Sequence, residues 1–295
     1  MRRVFVLTAA AFLLTACQKD SQAQTEACTP LGMSKTELLA LRDAGFEGGV
    51  GFSYDAFAIE LVECFGDPDP ALRDTVGYEG FANLLRNKKV SPQTIKLLSR
   101  KLTDMITTPD PRGFRPPFAA LALSEVARAD LFDEIFTDEE RAALVDTSAT
   151  YMRSVTDYRG YDENEGWRHG VAHGADFLMQ LSRNEALTRD ELVTIRDAIA
   201  AQVAPDAHFY IYGEGERLAR PILFIAMRGV FTEEEWAGWF AALGGEASPN
   251  DAPFTQASLA RRHNLKAFAS AIYISASRSE AEGLKALLPG ALAAL

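Results

Sequence analysis

Apolar side chains recur every three to four residues along most of the chain, which is the period of an α-helix with one buried face. The first clear example begins at Ser34-Lys-Thr-Glu37, a capping box followed by leucines at 38, 39 and 41. Ser91-Pro92 has the serine-then-proline pattern that precedes a helix. The same kinds of signal predict further helices from Thr137 to Tyr151, from Thr188 to Val203, from Thr232 onwards and from Thr255 to Ser277.

No stretch alternates apolar and polar positions for long enough to predict a sheet. HFYIY at 208–212 is the one β-like stretch, and Pro205 and Gly213 around it favour a short extended connector. Many helices joined by short polar turns predict an all-α fold, either an α-solenoid of stacked helix hairpins (HEAT or armadillo type) or an α/α toroid. Because neither a Gly/Ser linker nor a low-complexity tract interrupts residues 31–295, we expect a single helical domain there.

The first residues have the pattern of a secretory signal. Arg2 and Arg3 precede an apolar stretch that ends at residue 16 and is too short to cross a bilayer as a helix. Leu14-Thr-Ala-Cys17 resembles the lipobox of bacterial lipoproteins, in which the cysteine is acylated and becomes the new N-terminus. Acyl chains on Cys17 would anchor the protein to a lipid bilayer. Residues 1–16 are therefore predicted to be the signal peptide and residues 17–30 a flexible tether.

Gln18 and the remaining cysteines extend this prediction. In Gram-negative lipoproteins, a residue other than Asp after the lipidated cysteine is typical of the outer membrane, and Gln18 fits that pattern. We therefore expect an outer-membrane location, facing the periplasm or the cell surface. Because this compartment is oxidising, Cys28 and Cys64 are predicted to form a disulfide, the alternative being two unpaired thiols.

The overall charge limits the classes of partner. The formal net charge is −11, and no basic stripe interrupts the acidity. Phosphates of nucleic acids and anionic lipid head groups would be repelled by such a chain. We therefore expect no nucleic-acid partner, and membrane contact only through the acyl anchor.

GWRHGVAHGADF at 166–177 holds two of the four histidines of the chain and is the main candidate for chemistry. His169, His173 and Asp176 stand at i, i+4 and i+7, so on a helix with about 100° per residue they project from one narrow stripe. Because this helix is expected to be central, its polar stripe must face either a cavity or buried partners.

The glycines of the same stretch predict close packing. Gly166, Gly170 and Gly174 are spaced by four and form a neighbouring stripe without side chains. Glycine inside a helix costs about 1 kcal/mol relative to alanine, so its repeated use indicates that another backbone or a ligand approaches closely. The opposite face is apolar and predicted to be buried: Val171, Ala175 and Leu178.

Three hypotheses compete for the stripe. In the first, His169, His173 and Asp176 bind a divalent metal such as zinc, since two histidines four residues apart are a known ligand spacing. Gly170 stands where zincin proteases have their catalytic glutamate, so that protease class is excluded. In the second, the same groups bind a polar ligand or act as acid and base. In the third, they are structural and their hydrogen bonds are satisfied within the protein.

The segment from Asp157 to Glu165 is acidic and aromatic and leads into Trp167. Loops of this composition are typical of the rim of a small-molecule or carbohydrate site, although a solvated connector has the same composition. Arg159, Tyr161 and Trp167 are therefore candidate binding residues. Glu165 or Glu163 is a candidate catalytic base.

A second candidate segment is EGERLAR at 214–220, which is predicted to begin a helix. Glu216 and Arg220 stand at i and i+4 and are expected to pair on one face, and Glu216 and Arg217 are candidate binding residues. Pro221 is expected to kink the helix. The alternative is a helix start that carries only its own ion pairs.

The common nucleotide and hydrolase motifs are absent. The sequence contains no Walker A motif, no GxGxxG, no GxSxG and no CxxC. These absences argue against nucleotide hydrolysis, dinucleotide chemistry and the commonest serine hydrolases.

The central stretch RGYDENEGWRHGVAHGADFLMQLSRN resembles the signature of a bacterial family known as domain of unknown function 2785. The similarity extends to LRDTVGYEGFANLL and RGFRPPFAALAL upstream and to GERLARPILFIAMRG downstream, or roughly residues 35–280. The resemblance implies an all-helical fold and brings no established activity or cofactor. Arg-Pro-Pro at 115–117 departs from the Arg-Ser-Phe run usual in the family. The family-typical positions are Arg159, Gly160, Tyr161, Gly166, Trp167, His169, His173, Gly174, Asp176, Glu216, Arg217 and Leu218.

Two functional hypotheses follow from these observations. We favour a lipid-anchored helical-repeat scaffold that binds a protein or glycan partner through a groove lined by the helix of His169, His173 and Asp176. The alternative is a metal-dependent or acid–base hydrolase that acts on a polar substrate of the cell envelope, with the same three residues as ligands or proton carriers.

Overall fold

The fold is all-α. A computed structural model describes residues 28–243 and 254–295. In its N-terminal part, a 3-10 helix (Pro30–Gly32) is followed by α1 (Lys35–Asp43), α2 (Tyr54–Leu61), a 3-10 helix (Val62–Gly66), a π-helix (Ala71–Tyr78) and α3 (Glu79–Arg86). The central part contains α4 (Pro92–Thr107), α5 (Arg115–Asp133), α6 (Asp138–Ser154), β1 (Tyr161–Asp162), β2 (Gly166–Trp167) and α7 (Gly170–Ser182). The C-terminal part contains α8 (Arg189–Val203), α9 (Glu214–Met227), α10 (Glu233–Leu243), α11 (Gln256–Ser277), α12 (Glu282–Lys285) and α13 (Leu288–Ala293).

The predicted helix starts are confirmed. Capping boxes begin α1 at Ser34, α6 at Thr137 and α8 at Thr188, and each pairs the cap hydroxyl with the amide three residues later. The side chain of Ser91 accepts from the Thr94 amide ahead of Pro92 and so begins α4. Thr255 caps α11 in the same way. The HFYIY segment forms no strand, as predicted.

Helix hairpins stack side by side in two layers. The first layer contains α4, α6 and α8, and the second contains α5, α7, α9 and α11. Each first-layer helix packs against the second-layer helix that follows it in sequence. This is the stacking of an α-solenoid, one of the two predicted architectures. Within it, α7 lies between α5 and α9 and is backed by α6, which makes it the central helix.

One continuous hydrophobic core runs through the described residues, from Cys28 to Ala291. A disulfide joins Cys28 and Cys64, the pair that the sequence predicts. The backbone amide of Cys28 also donates to Asp67 Oδ2 at 3.0 Å, so the start of the described chain is held at two points. Among the described helices, none has the length and apolar character needed to span a membrane. The predicted signal peptide, Cys17 and most of the predicted tether lie outside the described residues.

The expectation of no sheet needs one correction. Strands β1 and β2 form a two-stranded antiparallel hairpin, in which Tyr161 pairs with Trp167 and Asp162 with Gly166. Strands of two residues are too short to show an alternating pattern in sequence, so periodicity could not reveal them. The amides of Asn164 and Glu165 both donate to Asp162 Oδ1 and close the turn.

Candidate functional site

His169 lies at the junction between the hairpin and α7, not inside the helix. Its backbone is left-handed, with φ 54° and ψ 41°, a conformation that is uncommon for a residue with a side chain. Two bonds hold it there: its amide donates to Arg159 O at 3.0 Å, and its carbonyl accepts from the His173 amide at 3.0 Å. The prediction that His169 shares a helical stripe with His173 and Asp176 is therefore wrong for His169, because the hairpin backbone fixes its position.

The glycine stripe is corrected in the same way. Gly166 lies in β2 with φ +72°, and a Cβ there would lie 2.8 Å from Arg73 Nη2. Gly170 and Gly174 do belong to α7, and a Cβ on either would lie within 3.2 Å of the side chain of Tyr151 on α6. The close packing predicted for these two glycines is thus packing between α6 and α7. The opposite apolar face of α7 is buried, as predicted.

The two imidazoles belong to an aromatic row that enters the core. The ring of His169 stacks on Trp167 with centroids 4.7 Å apart, and the ring of His173 lies 5.7 Å from His169 and 5.3 Å from Phe118. Burial lowers the pKa of His169 to about 4, and the charge of Arg217 acts in the same direction. Burial also lowers the pKa of His173 well below its usual range. Both rings are therefore neutral at neutral pH.

Each imidazole keeps one nitrogen without a hydrogen-bond partner among the described residues. These buried atoms are Nε2 of His169 and Nδ1 of His173. Backbone hydrogen bonds with Tyr212 and with Pro117 engage His169 and His173, respectively. Two unpartnered nitrogens in neighbouring rings are unusual, because buried polar groups in proteins are nearly always hydrogen-bonded.

Asp176 pairs with α9. Its Oδ2 contacts Arg217 Nη1 in an ion pair, and its Oδ1 lies 3.9 Å from Arg220 Nη1. Burial raises the pKa of Asp176, and the charge of Arg217 opposes this shift. The expected pairing of Glu216 with Arg220 is not what the structure shows, since Glu216 is exposed and Arg220 turns to Asp176.

The carboxylate nearest to His169 comes from α9. Glu214 is buried, and its Oε1 lies 3.7 Å from His169 Nε2 while its Oε2 accepts from the Tyr212 amide at 2.9 Å. Glu214 is the first residue of α9 and follows Gly213, whose φ of 87° favours glycine. As predicted, Pro221 lies inside this helix.

The candidate catalytic bases from the loop have other partners. Glu165 Oε2 accepts from Arg168 Nη2 at 2.8 Å, and the side chain of Glu165 is half exposed. Glu163 is exposed. Arg159 forms an ion pair with Asp157 and donates to Arg112 O at 3.2 Å, which places it beside the start of α5. Of the loop residues, Trp167 stacks on the ring of His169, and Tyr161 contacts the ring of Trp167.

The donor set does not favour a metal centre. Among the described residues, no group of three or more His, Cys, Asp and Glu side chains is arranged to hold a metal ion. Asp176 is engaged by Arg217, and an arginine in that position competes with a cation for the carboxylate. The arrangement therefore supports the two hypotheses without a metal better than the zinc hypothesis.

A fully buried arginine holds the turn of the β1–β2 hairpin from the protein interior. Arg73 of the π-helix donates Nη2 to Glu165 O at 2.6 Å and Nη1 to Asp67 O at 3.0 Å, and its Nε pairs with Asp74 at 2.7 Å. The ring of Phe114 lies 4.0 Å from its guanidinium carbon. The hairpin that carries Trp167 is thus held at its turn by a residue 92 positions earlier in the chain.

Sequence reasoning did not single out Arg73, Glu214 or Tyr212 as site residues. Tyr212 lies edge-on to Trp167 with centroids 5.8 Å apart, and its hydroxyl donates to Tyr161 O at 3.3 Å. A Cβ on Gly160 would lie 2.0 Å from the Tyr212 ring, so the glycine leaves the space that this ring fills. The family-typical Gly160 was the one sequence signal for this contact.

Comparison with known proteins places the chain in a family. The profile of a family described as "protein of unknown function (DUF2785)" matches residues 102–274, a narrower range than the 35–280 predicted from the sequence. This match covers more than half of the chain, which therefore belongs to that family. No curated protein and no solved structure matches it.

Proposed function

We propose that this DUF2785 protein is a helical-repeat scaffold that binds a partner protein at the surface formed by Tyr161, Trp167, Tyr212, Arg217 and Arg220, here called the Tyr161 patch. The observation that carries the proposal is the continuity of this surface. Ring contacts join Tyr161 to Trp167 and Trp167 to Tyr212; His169 contacts both Trp167 and Tyr212, and the charge of Arg217 is near enough to lower the pKa of His169.

The residue types fit protein recognition. Tyrosine, tryptophan and arginine are the types that dominate binding energy at protein interfaces. Tyr161 is 48% exposed, and the side chains of Arg217 and Arg220 are 33% and 46% exposed, so each can contact a partner without rearrangement of the fold. The hairpin held by Arg73 and the ion pair with Asp176 restrict these side chains before binding, which lowers the entropy lost on association.

His169 contacts Trp167 and Tyr212 of this patch from the protein interior, and its Nε2 lies 3.7 Å from the carboxylate of Glu214. Because both His169 and Glu214 are buried, they support the patch from within and do not themselves contact a partner.

The hydrolase hypothesis draws support from the same pair of residues. A histidine beside a buried carboxylate is a common acid–base arrangement. The pKa of His169 is about 4, however, and efficient general bases have a pKa near the working pH. We therefore favour binding over acid–base catalysis for this site.

We also propose that the protein is anchored through acylated Cys17 to the outer membrane. The support is the Leu14-Thr-Ala-Cys17 sequence and the following Gln18. Labelling of cells with radioactive palmitate tests it: the wild-type chain should incorporate label and fractionate with outer membranes. Label of equal strength in a Cys17→Ala variant would contradict the proposal.

Affinity recovery from envelope extract tests the binding function. A partner retained by the wild type should be lost with the Tyr161→Ala/Arg220→Gln variant, whose two positions are exposed and which adds no charge beside Asp176. The matched control is Phe254→Ala/Arg278→Gln, which removes an aromatic ring and a positive charge at exposed positions elsewhere. Equal recovery by both variants, or no specific partner for the wild type, would contradict the proposal. Recovery of a glycan instead of a protein would replace the proposed protein partner by a glycan partner.

A further inference from the structure

Two adjoining cavities of about 600 and 470 Å³ lie along α4 and α6 in the first layer. Both are lined by Ile106, Thr107, Tyr151 and Ser154, so they form one continuous groove, here called the α4–α6 groove. At one end it reaches the loop before α5 and Gly170 at the start of α7. Its volume is in the range of small-molecule sites, and none of its lining residues belongs to the Tyr161 patch.

Hydroxyl groups line the groove along its length. They belong to Thr103, Thr107, Thr108, Thr147, Thr150, Ser154 and Thr156. Four of them donate to backbone carbonyls of their own helix and so offer their lone pairs to a ligand. Thr103, Thr150 and Thr156 make no hydrogen bond among the described residues, so they can both donate and accept.

The charged groups in the wall are already compensated. The carboxylate of Asp110 accepts from the amides of Arg112, Phe114 and Arg115, and Asp157 pairs with Arg159. Arg168 pairs with Glu165 and donates to Arg112 O at 2.7 Å. Asp146 makes neither an ion pair nor a side-chain hydrogen bond among the described residues, and it is exposed. The groove therefore offers hydroxyls rather than a free cation or a buried free anion.

The rest of the wall is apolar and rigid. Four prolines form part of it: Pro109, Pro111, Pro116 and Pro117. Ile106, Val155 and the ring of Tyr151 complete that surface. Proline restricts backbone motion, so this wall is largely formed before any ligand binds.

We propose that the α4–α6 groove is a second binding site, for a neutral polyhydroxylated small molecule of the size of a mono- or disaccharide. Apolar walls match the C–H faces of a sugar ring, and the hydroxyls match its hydroxyls in number and in mixed donor and acceptor character. A phosphate or carboxylate finds no free cation here, and a polyamine finds a free carboxylate at Asp146 alone. This site is separate from the proposed partner surface, and either proposal can fail without the other.

Ligand-observed NMR with glucose and maltose as probes, followed by titration of backbone amide shifts, tests the site. Maltose should bind the wild type with shifts confined to α4, α6, the segments 108–117 and 155–157, and the start of α7. Thr103→Val/Thr150→Val removes two hydroxyls that make no internal bond, and it should weaken binding about tenfold. Ser154→Trp should abolish binding by filling the groove. Thr36→Val on α1 is the control that should bind as the wild type does, because the Thr36 hydroxyl also makes no hydrogen bond among the described residues and does not line the groove.

Three outcomes would overturn the proposal. One is absence of binding of both sugars to the wild type at their highest soluble concentrations. Another is binding that Thr103→Val/Thr150→Val and Ser154→Trp leave unchanged, while circular dichroism shows both variants folded. The third is preferential binding of spermidine that is lost in Asp146→Asn, which would assign the groove to cations.

Discussion

Arg217 of α9 forms an ion pair with Asp176 of α7 across the contact between two neighbouring second-layer helices. The Asp176 side chain is only 10% exposed and that of Arg217 is 33% exposed, so the pair is partly desolvated. Replacement of Asp176 by Asn should lower the free energy of unfolding by about 2 kcal/mol, since it leaves a partly buried guanidinium without its counter-charge. Urea denaturation of both proteins at neutral pH measures the difference.

Arg220 provides the matched comparison for this pair. Its Nη1 lies 3.9 Å from Asp176 Oδ1 and its side chain is 46% exposed, so Arg220→Gln should cost less than about 0.5 kcal/mol. A double-mutant cycle with Arg217→Gln and Asp176→Asn should give a clear coupling energy. Additive effects of these two substitutions would show that the pair contributes nothing beyond its individual side chains.

The packing of α7 on α6 can be tested at Gly174. A Cβ there would lie 3.0 Å from Tyr151 Cε1 and 3.1 Å from Met152 Cε, and both side chains are buried. Gly174→Ala should therefore destabilise the protein by about 1–3 kcal/mol, although alanine is the better helix former.

Gly238 inside α10 is the control for that substitution. Nothing lies within 4 Å of a Cβ at this exposed position, so Gly238→Ala should stabilise by about 0.5–1 kcal/mol. Thermal unfolding of both variants measures the two effects. Equal increases in Tm for Gly174→Ala and Gly238→Ala would mean that Tyr151 and Met152 of α6 move aside at little energetic cost.

The helices could be predicted from the sequence because their starts depend on local chemistry. Ser34, Thr137 and Thr188 cap helices with bonds to residues three positions later, which a short window contains. The site could be located, but its geometry could not be predicted. The position of His169 depends on a bond to Arg159 O and on a hairpin held by Arg73, and its carboxylate neighbour Glu214 lies 45 positions later. Contacts over such separations leave no periodic signal in a single sequence.

The buried histidines predict a dependence of stability on pH. An unfolded chain protonates its histidines near pH 6.5, whereas the pKa of His169 in the fold is about 4 and that of His173 is also lowered. The unfolded state therefore binds more protons between these values. Stability from these groups is complete above about pH 6.5 and falls as the pH is lowered towards 4, by about 3 kcal/mol for His169 alone.

Urea denaturation at several pH values between 7.5 and 4.5 checks this dependence. A His169→Gln/His173→Gln variant should lose less stability than the wild type over that range, whatever its stability at neutral pH. Burial raises the pKa of Asp176, so its contribution to stability increases as the pH falls, opposite to that of the histidines. Comparison of the two slopes removes this and every other contribution that both proteins share. Parallel slopes would contradict the neutral, buried state of the two rings.

Arg73 should control the order of the hairpin. The planar guanidinium of Arg73 reaches Asp67 O, Glu165 O and Asp74 at the same time. The single ammonium group of a lysine cannot reach all three. Arg73→Lys should destabilise the protein by about 3 kcal/mol and speed amide exchange in the hairpin 161–167. Arg86→Lys is the control, because Arg86 is half exposed and pairs with Glu125, away from the hairpin. Unchanged exchange in the hairpin for Arg73→Lys would mean that other contacts fix its turn.

The disulfide between Cys28 and Cys64 should contribute to stability mainly through the unfolded chain. It closes a loop with a sequence separation of 36, which corresponds to about 3–4 kcal/mol in the chain-entropy estimate. Both cysteines are buried, so Cys28→Ala/Cys64→Ala removes the bond without leaving a buried hydroxyl or thiol. We expect a loss of that size in urea denaturation, and the same loss in the wild type after reduction.

The reductant provides the control for this prediction. If it destabilises the wild type and leaves the double variant unchanged, the effect belongs to the Cys28–Cys64 bond, because Cys17 is the one other cysteine in the chain. Equal stability of the oxidised wild type and the double variant would show that the Cys28 amide bond to Asp67 suffices to hold this end of the chain.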